Sequence, residues 1–334
     1  MIKVAINGFG RIGRLALREI LTTNDFDIVA INDLSKAEDL AYLLKYDTNH
    51  RTFHEDKITN TENEIIIDGK KKIPVFAEKD PENLPWRDLN VDLVLECTGF
   101  FTSEEGAMKH IKAGAKKVLI SAPATDEVKT IVYNVNHHIL NENDIIVSAA
   151  SCTTNCLAPV VKIIHDNYGI TKGFMSTVHA YTNDQATLDI THDKGYKSRR
   201  GRACAMNIIP SSTGAAKAIG RVIPELEGRL EGLAYRVPVS DGSVVDMALE
   251  INSNVTKEIV NQLFMDNMNE TIHLTFDPVV SSDIIGSKLG SLIDGNLTNV
   301  LEVEGKQLLK VVAWYDNEMG YTAQMMRTAR VMFK

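Results

Sequence analysis

No surplus of positive charge, no metal-type cysteine spacing and no membrane-length apolar run occur in this 334-residue chain. Its formal net charge of −8 repels nucleic acid and anionic membrane, and argues against either as a primary partner. The four cysteines, Cys97, Cys152, Cys156 and Cys204, form no CxxC pair and sit near no histidine cluster at ligand spacing. Neither a metal site nor a disulfide scaffold is therefore expected. Reduced thiols fit a cytoplasmic protein. No apolar stretch reaches bilayer length, and Met1-Ile2-Lys3 passes directly into a strand-like segment, so no cleavable leader is expected. What remains is an ordinary globular composition, 44% hydrophobic and 24% charged, in a chain long enough for two domains.

The N-terminal half alternates strands and helices. Lys3 to Asn7 is a short apolar run, followed at once by Gly8-Phe9-Gly10-Arg11-Ile12-Gly13. This G-x-G-x-x-G opens a helical pattern over Arg11 to Leu21 with Ile12, Leu15, Ala16 and Ile20 on one face. Gly8 suits a tight turn, Gly10 close approach of a pyrophosphate, and Gly13 close helix–strand packing. The helix start offers free N–H groups to phosphate. A second strand, Ile28 to Asn32, ends in Asp33, where a carboxylate can take the ribose hydroxyls and repel a 2′-phosphate. The expected cofactor is NAD. Further strands end at Cys97-Thr98-Gly99 and at Ser121, and strand ends in open sheets face the ligand crevice, so Thr98, Gly99 and Ser121 are candidate contacts. Glu64 to Ile73 reads as two strands around an Asp-Gly turn, an antiparallel insertion.

Beyond the strand Ile145 to Ala149 lies Ser151-Cys152-Thr153-Thr154-Asn155-Cys156, leading into a helical pattern through Leu157, Val160, Val161 and Ile164. Cys152 thus sits at a helix start, whose dipole favours thiolate. Ionising most of it at neutral pH takes ~3 kcal/mol, more than a helix end supplies, so an imidazole partner is expected. His179, at the end of the run Phe174 to Val178, has the right chemistry. Taken alone, a strand-end histidine is more often structural. Cys156 reads as helix packing, Cys97 and Cys204 as buried thiols, and His165 as a surface or capping residue. Ser212 reads as a helix cap.

Several segments, in order along the whole chain, resemble the family of phosphorylating glyceraldehyde-3-phosphate dehydrogenases. They are Asn7 to Arg14, Ala150 to Cys156, His179-Ala180-Tyr181-Thr182, Ser212 to Lys217, Arg236-Val237-Pro238 and Trp314 to Glu318. The resemblance implies Cys152 as nucleophile and His179 as base. It implies substrate and phosphate contacts at Ser151, Thr153, Thr182, Arg200, Thr213, Gly214 and Arg236, and cofactor contacts at Arg11, Ile12, Asp33, Lys79, Ser121 and Asn317. It implies glyceraldehyde 3-phosphate and inorganic phosphate as partners, and a homotetramer.

The expected fold is α/β: a doubly wound Rossmann-type NAD domain over residues 1–150, and an α+β catalytic domain with a largely antiparallel sheet over 151–316. A C-terminal helix, 317–334, is expected to return to the first domain. Two departures from relatives stand out. Lys79 replaces a frequent arginine, keeping charge but losing the planar fork. Ile190-Thr191 replaces a small residue or proline in a loop that the resemblance places at a subunit contact. The loop's basic run, Lys194 to Arg202, alone would read as a solvated face. Two other functions compete. An erythrose-4-phosphate dehydrogenase shares the nucleophile motif, but Thr182 favours the glyceraldehyde enzyme. A catalytically silent nucleotide-binding scaffold is opposed by the Cys152 and His179 pair.

Overall fold

A computed structural model describes residues 1–192 and 195–334; Lys194 of the basic loop lies outside them. The chain divides into two compact units. The first holds residues 1–131, 137–151 and 325–334, and the second holds 132–136 and 152–324. The helix near the C-terminus therefore begins in the second unit and ends in the first.

The first unit contains strands β1 (Ile2–Asn7), β2 (Phe26–Asn32), β3 (Ile58–Asn60), β4 (Glu64–Ile67), β5 (Lys71–Phe76), β6 (Leu93–Glu96), β7 (Lys117–Ile120) and β8 (Ile146–Ser148). Its helices are α1 (Arg11–Ile20), α2 (Ala37–Lys45) and α3 (Glu104–Lys112). The sheet order is β3-β4-β5-β2-β1-β6-β7-β8. From β5 to β8 every pairing is parallel, and β3-β4-β5 adds an antiparallel edge. The Asp68-Gly69 turn between β4 and β5 has positive φ at both residues, 55° and 66°, as a tight hairpin of this handedness requires. The order reverses between β1 and β6. That switch point is where open α/β sheets bind ligands.

Parallel strands covered on both faces must be apolar throughout. Val4, Ala5 and Ile6 of β1 and Leu93, Val94 and Leu95 of β6 are fully buried. Helix α1 buries Leu15, Ala16, Leu17 and Ile20, while Ser103 caps α3 by accepting from Gly106 N at 3.1 Å.

The second unit contains α4 (Cys152–Tyr168), β9 (Ile170–Ala180), β10 (Ile209–Ser212), α5 (Ala215–Val222), β11 (Leu230–Val237), β12 (Ser243–Ile251), α6 (Lys257–Asp266), β13 (Ile272–Thr275), β14 (Ser291–Asp294), β15 (Asn299–Val303), β16 (Lys306–Tyr315) and the start of α7 (Met319–Val331). Its sheet runs β10-β11-β9-β12-β16-β14-β13, with β15 also on β16. Only β9–β11 and β13–β14 are parallel, so the sheet is largely antiparallel. Alternation along β9 turns Met175, Thr177 and His179 inward, and Phe174 and Val178 outward. Helices α4 and α5 pack against each other, and α4 lies against β9, β12 and β16.

Candidate active site

The first unit has a cavity of about 580 Å³ at its switch point. The ends of β1, β2 and β6 form it: Asn7 and Gly8, Asn32 and Asp33, Cys97 and Thr98. The glycines behave as their spacing requires. Gly8 has φ of 89°, and a Cβ there would lie 2.7 Å from Thr98 N. A Cβ on Gly13 would collide with Gly8 O, whereas one on Gly10 would meet nothing within 4 Å and would project into open space. A phosphate could approach the backbone there, at the N-terminus of α1.

Asp33 Oδ2 accepts from Phe9 N at 2.8 Å, which fixes the carboxylate beside the glycine turn. Lys79 is exposed and lines the same cavity. Of the other expected cofactor residues, Ile12 and Arg11 open α1, but the Arg11 guanidinium is held by Asp47. Its side chain is thus engaged within the protein. Burial opposes ionisation of Asp47, yet hydrogen bonds from Arg11 and His50 outweigh it and bring its pKa down to about 2. Gly99, with φ of 76°, and Ser121 lie at strand ends but outside this cavity's lining. Asn317 belongs to the second unit, where its Oδ1 accepts from Ser243 Oγ at 2.7 Å.

Residues not singled out from sequence also line the cavity: Asn32, Leu34, Glu78, Cys97, Phe100 and Phe101. Leu34 and Phe100 are 63% and 87% exposed, and an apolar pair flanking a polar crevice suits a heteroaromatic base. Large apolar residues directly after the strand-end motifs were the available signal. Cys97, expected to be buried, is part-exposed as a residue and forms part of this wall, while the protein packed around its sulfur pushes the thiol up to about 12.

In the second unit, Cys152 opens α4. The turn before it carries strain: Ala150 has φ of 59°, a conformation that costs a non-glycine residue roughly 1–2 kcal/mol. Cys152 Sγ lies 3.4 Å from His179 Nε2. On the far side of the ring, Nδ1 is 2.7 Å from Ala180 O and 2.9 Å from Arg236 Nη1. The carbonyl oxygen can only accept, so the shorter contact requires Nδ1–H donating to Ala180 O and leaves the Nε2 lone pair facing sulfur, while Arg236 Nη1 donates to the same carbonyl and not to the ring. The ring is 2% exposed and packs edge-on to Tyr315. Tyr315 OH lies 2.9 Å from both Thr153 Oγ1 and Thr177 Oγ1, which ties the start of α4 to β9.

Strand register explains Arg236. It pairs with His179 across parallel strands β11 and β9. Its Nη1 donates to Ala180 O at 2.9 Å and to Thr182 Oγ1 at 3.2 Å. Among the described residues it has no carboxylate within ion-pair distance, and its buried Nε has no partner. A half-buried guanidinium with no carboxylate in contact is chemically suited to an anion. Arg200, by contrast, is paired with Asp184, which also takes the Thr182 hydroxyl.

Burial and this cation set the protonation states. Burial, then the Arg236 charge, lowers His179 to about 3, so the ring is neutral and basic in position. Burial also pushes the Cys152 thiol up, with Arg236 the largest opposing influence and Thr153 the next. Burial favours the uncharged forms of both partners, while the Arg236 cation favours the thiolate and opposes the imidazolium.

Ser151 precedes α4 and Thr153 lies in its first turn. Thr213 and Gly214 lead into α5; Gly214 stands at its N-cap without a side-chain cap, Thr213 Oγ1 accepts from Ala215 N at 3.2 Å in a local turn, and Ser212, expected to cap, ends β10 and is exposed. No hydrogen bond among the described residues joins Thr213 or Gly214 to Cys152, His179 or Arg236. Cys156 is fully buried, and His165 Nδ1 accepts from Ile170 N at 3.0 Å, closing the end of α4.

Residues 2–104 match the family described as glyceraldehyde 3-phosphate dehydrogenase, NAD binding domain, and residues 151–317 match its C-terminal domain. A glyceraldehyde-3-phosphate dehydrogenase of Clostridium pasteurianum is 54% identical over 334 residues, covering 100% of this chain and 99% of its own. One from Clostridium acetobutylicum is 54% identical over 328 residues, 98% of this chain and 97% of its own. One from Streptococcus pyogenes is 51% identical over 335 residues, 100% and 99% respectively.

Proposed function

Since the chain belongs to the glyceraldehyde-3-phosphate dehydrogenase family, we propose that it is the phosphorylating, NAD-dependent enzyme of glycolysis, converting glyceraldehyde 3-phosphate, phosphate and NAD to 1,3-bisphosphoglycerate and NADH. The observation that carries this reading is the 3.4 Å contact between Cys152 Sγ and His179 Nε2 beside the Arg236 guanidinium.

Cys152 attacks the aldehyde carbon as its proton passes to Nε2, which returns it to the new alkoxide oxygen; the product is a neutral thiohemiacetal and the ring is again a free base. NAD, when bound, supplies the hydride acceptor. His179 takes the hydroxyl proton as the C–H bond breaks, leaving a thioester on Cys152. Phosphate adds to that carbonyl and expels the sulfur, giving the acyl phosphate and the free cysteine. Arg236, with Thr182, holds phosphate oxygens; Arg200, Ser151, Thr153, Thr213 and Gly214 complete two anion sites. Gly8, Gly10, Asp33, Lys79 and Thr98 hold the dinucleotide, and Asp33 favours NAD over NADP. Residues 1–150 with the C-terminal helix serve the cofactor, and 151–316 the chemistry.

The outer face of the second sheet supports self-association. Phe174, Val178, Leu233 and Tyr235 lie exposed on neighbouring strands, as does Leu308 on β16. We read the protein as a cytoplasmic homotetramer. An assay of NADH against NADPH formation from glyceraldehyde 3-phosphate, with and without phosphate, tests the function. Steady turnover without phosphate, or equal use of NADP, would refute it.

A further inference from the structure

Beneath the dinucleotide cavity lies a chain of buried polar side chains that the chemistry above does not use. Glu96 ends β6 and is 1% exposed. Its register partner on β1 is Asn7. Oε2 accepts from Asn7 Nδ2 at 2.6 Å and from His110 Nε2 at 3.0 Å. Oε1 accepts from Thr98 N at 2.8 Å and from the Thr98 hydroxyl. Four donor contacts thus converge on one carboxylate.

The far end of the chain fixes its polarity. Trp86 Nε1 donates to His110 Nδ1 at 3.0 Å. Indole can only donate, so Nδ1 accepts and Nε2 carries the ring proton toward Glu96. On the other side, Asn7 Oδ1 accepts from Asn32 Nδ2 at 2.7 Å, and the Asn32 amide clamps both N and O of Glu78 at 2.9 Å. Asn7, Asn32, Glu78 and Thr98 are all walls of the cavity. Thr98 N is also the atom that the Cβ-less Gly8 approaches.

We propose that Glu96 is a positioning residue for the dinucleotide: a buried acceptor, oriented by His110 and Trp86, that sets the Asn7–Gly8 turn and Thr98 at their binding separation before the cofactor arrives. Among the described residues no Lys or Arg pairs with Glu96, and a buried carboxylate of this kind is costly unless donors surround it, as they do here. Preorganisation of this type raises affinity by removing the ordering cost of binding. The inference rests on the NAD-binding reading of this cavity.

Glu96→Gln turns one acceptor edge into a donor facing Asn7 and His110. NAD affinity should fall about tenfold, with kcat at saturating NAD changed by less than about twofold. Trp86→Phe in that background frees His110 to take the other tautomer and accept from Gln at 96. Affinity should then recover roughly threefold, a reversal that simple loss of packing would not produce. Calorimetric NAD titration of the three proteins reads this directly. Wild-type affinity in Glu96→Gln, or further loss in the double variant, would overturn the proposal alone; no NAD binding by the unaltered protein would overturn it together with the cofactor reading. Hydrogen exchange on the unaltered protein needs no variant. The Thr98 amide should be equally protected with and without NAD, and protection gained only on adding NAD would overturn the proposal.

Discussion

Arg236 Nη1 lies 2.9 Å from His179 Nδ1, held there by the in-register pairing of neighbouring parallel strands. The cation stands on the side of the ring away from sulfur. It therefore opposes an imidazolium more strongly than it attracts a thiolate. An anion bound to Arg236 offsets that charge and eases proton transfer from Cys152 to Nε2. Phosphate or sulfate should raise the thiolate absorbance at pH 7 in the unaltered protein. Arg236→Leu should show the raised absorbance without anion, give no response to sulfate, and lose about 10²-fold in kcat/KM. Absorbance that ignores sulfate in the unaltered protein would contradict this coupling.

His179→Asn keeps a polar side chain but removes the base. Its kcat should fall by about 10²–10⁴-fold. Alkylation of Cys152 by iodoacetamide at pH 7 should slow in the same variant, since the proton has no acceptor. Alkylation at the wild-type rate would separate the imidazole from thiol activation.

The lowered pKa of His179 makes a stability claim with a definite sign. Unfolded, the ring binds a proton below about pH 6.5; folded, it resists until about 3. Between these values the unfolded state holds more protons, so stability falls as pH drops through the window. The slope from this group is on the order of 1 kcal/mol per pH unit. Urea unfolding of His179→Asn between pH 6.5 and 4 should show a shallower loss than the unaltered protein, and parallel curves would count against a neutral buried ring.

Two of the motif glycines, Gly10 and Gly13, separate binding from folding. Gly10→Ala meets no protein atom within 4 Å, so its Tm should stay near wild type while NAD affinity collapses. Gly13→Ala drives a methyl into Gly8 O and should lower Tm strongly. Equal NAD affinity in Gly10→Ala would remove the phosphate from that turn.

The parts of this account that depend on short stretches of chain were legible in the sequence. The strand–glycine–helix series, Asp33 and the Asp68-Gly69 hairpin each follow from local backbone needs. Cys152 and His179 are 27 residues apart and meet only through the fold, so family resemblance and not spacing linked them. His110 escaped notice because its role depends on Trp86 and Glu96, 24 and 14 residues away. The helix terminus that favours a Cys152 thiolate is visible in sequence, whereas the burial that opposes it is not.

The covalent step is the centre of the account. Mixing the protein with glyceraldehyde 3-phosphate and NAD in phosphate-free buffer, followed by mass spectrometry, tests it most directly. The expected result is one NADH per chain in a burst, with the glyceroyl phosphate group attached to Cys152 and to none of the other three cysteines. Steady NADH formation by Cys152→Ser under the same conditions, or acylation elsewhere, would contradict it.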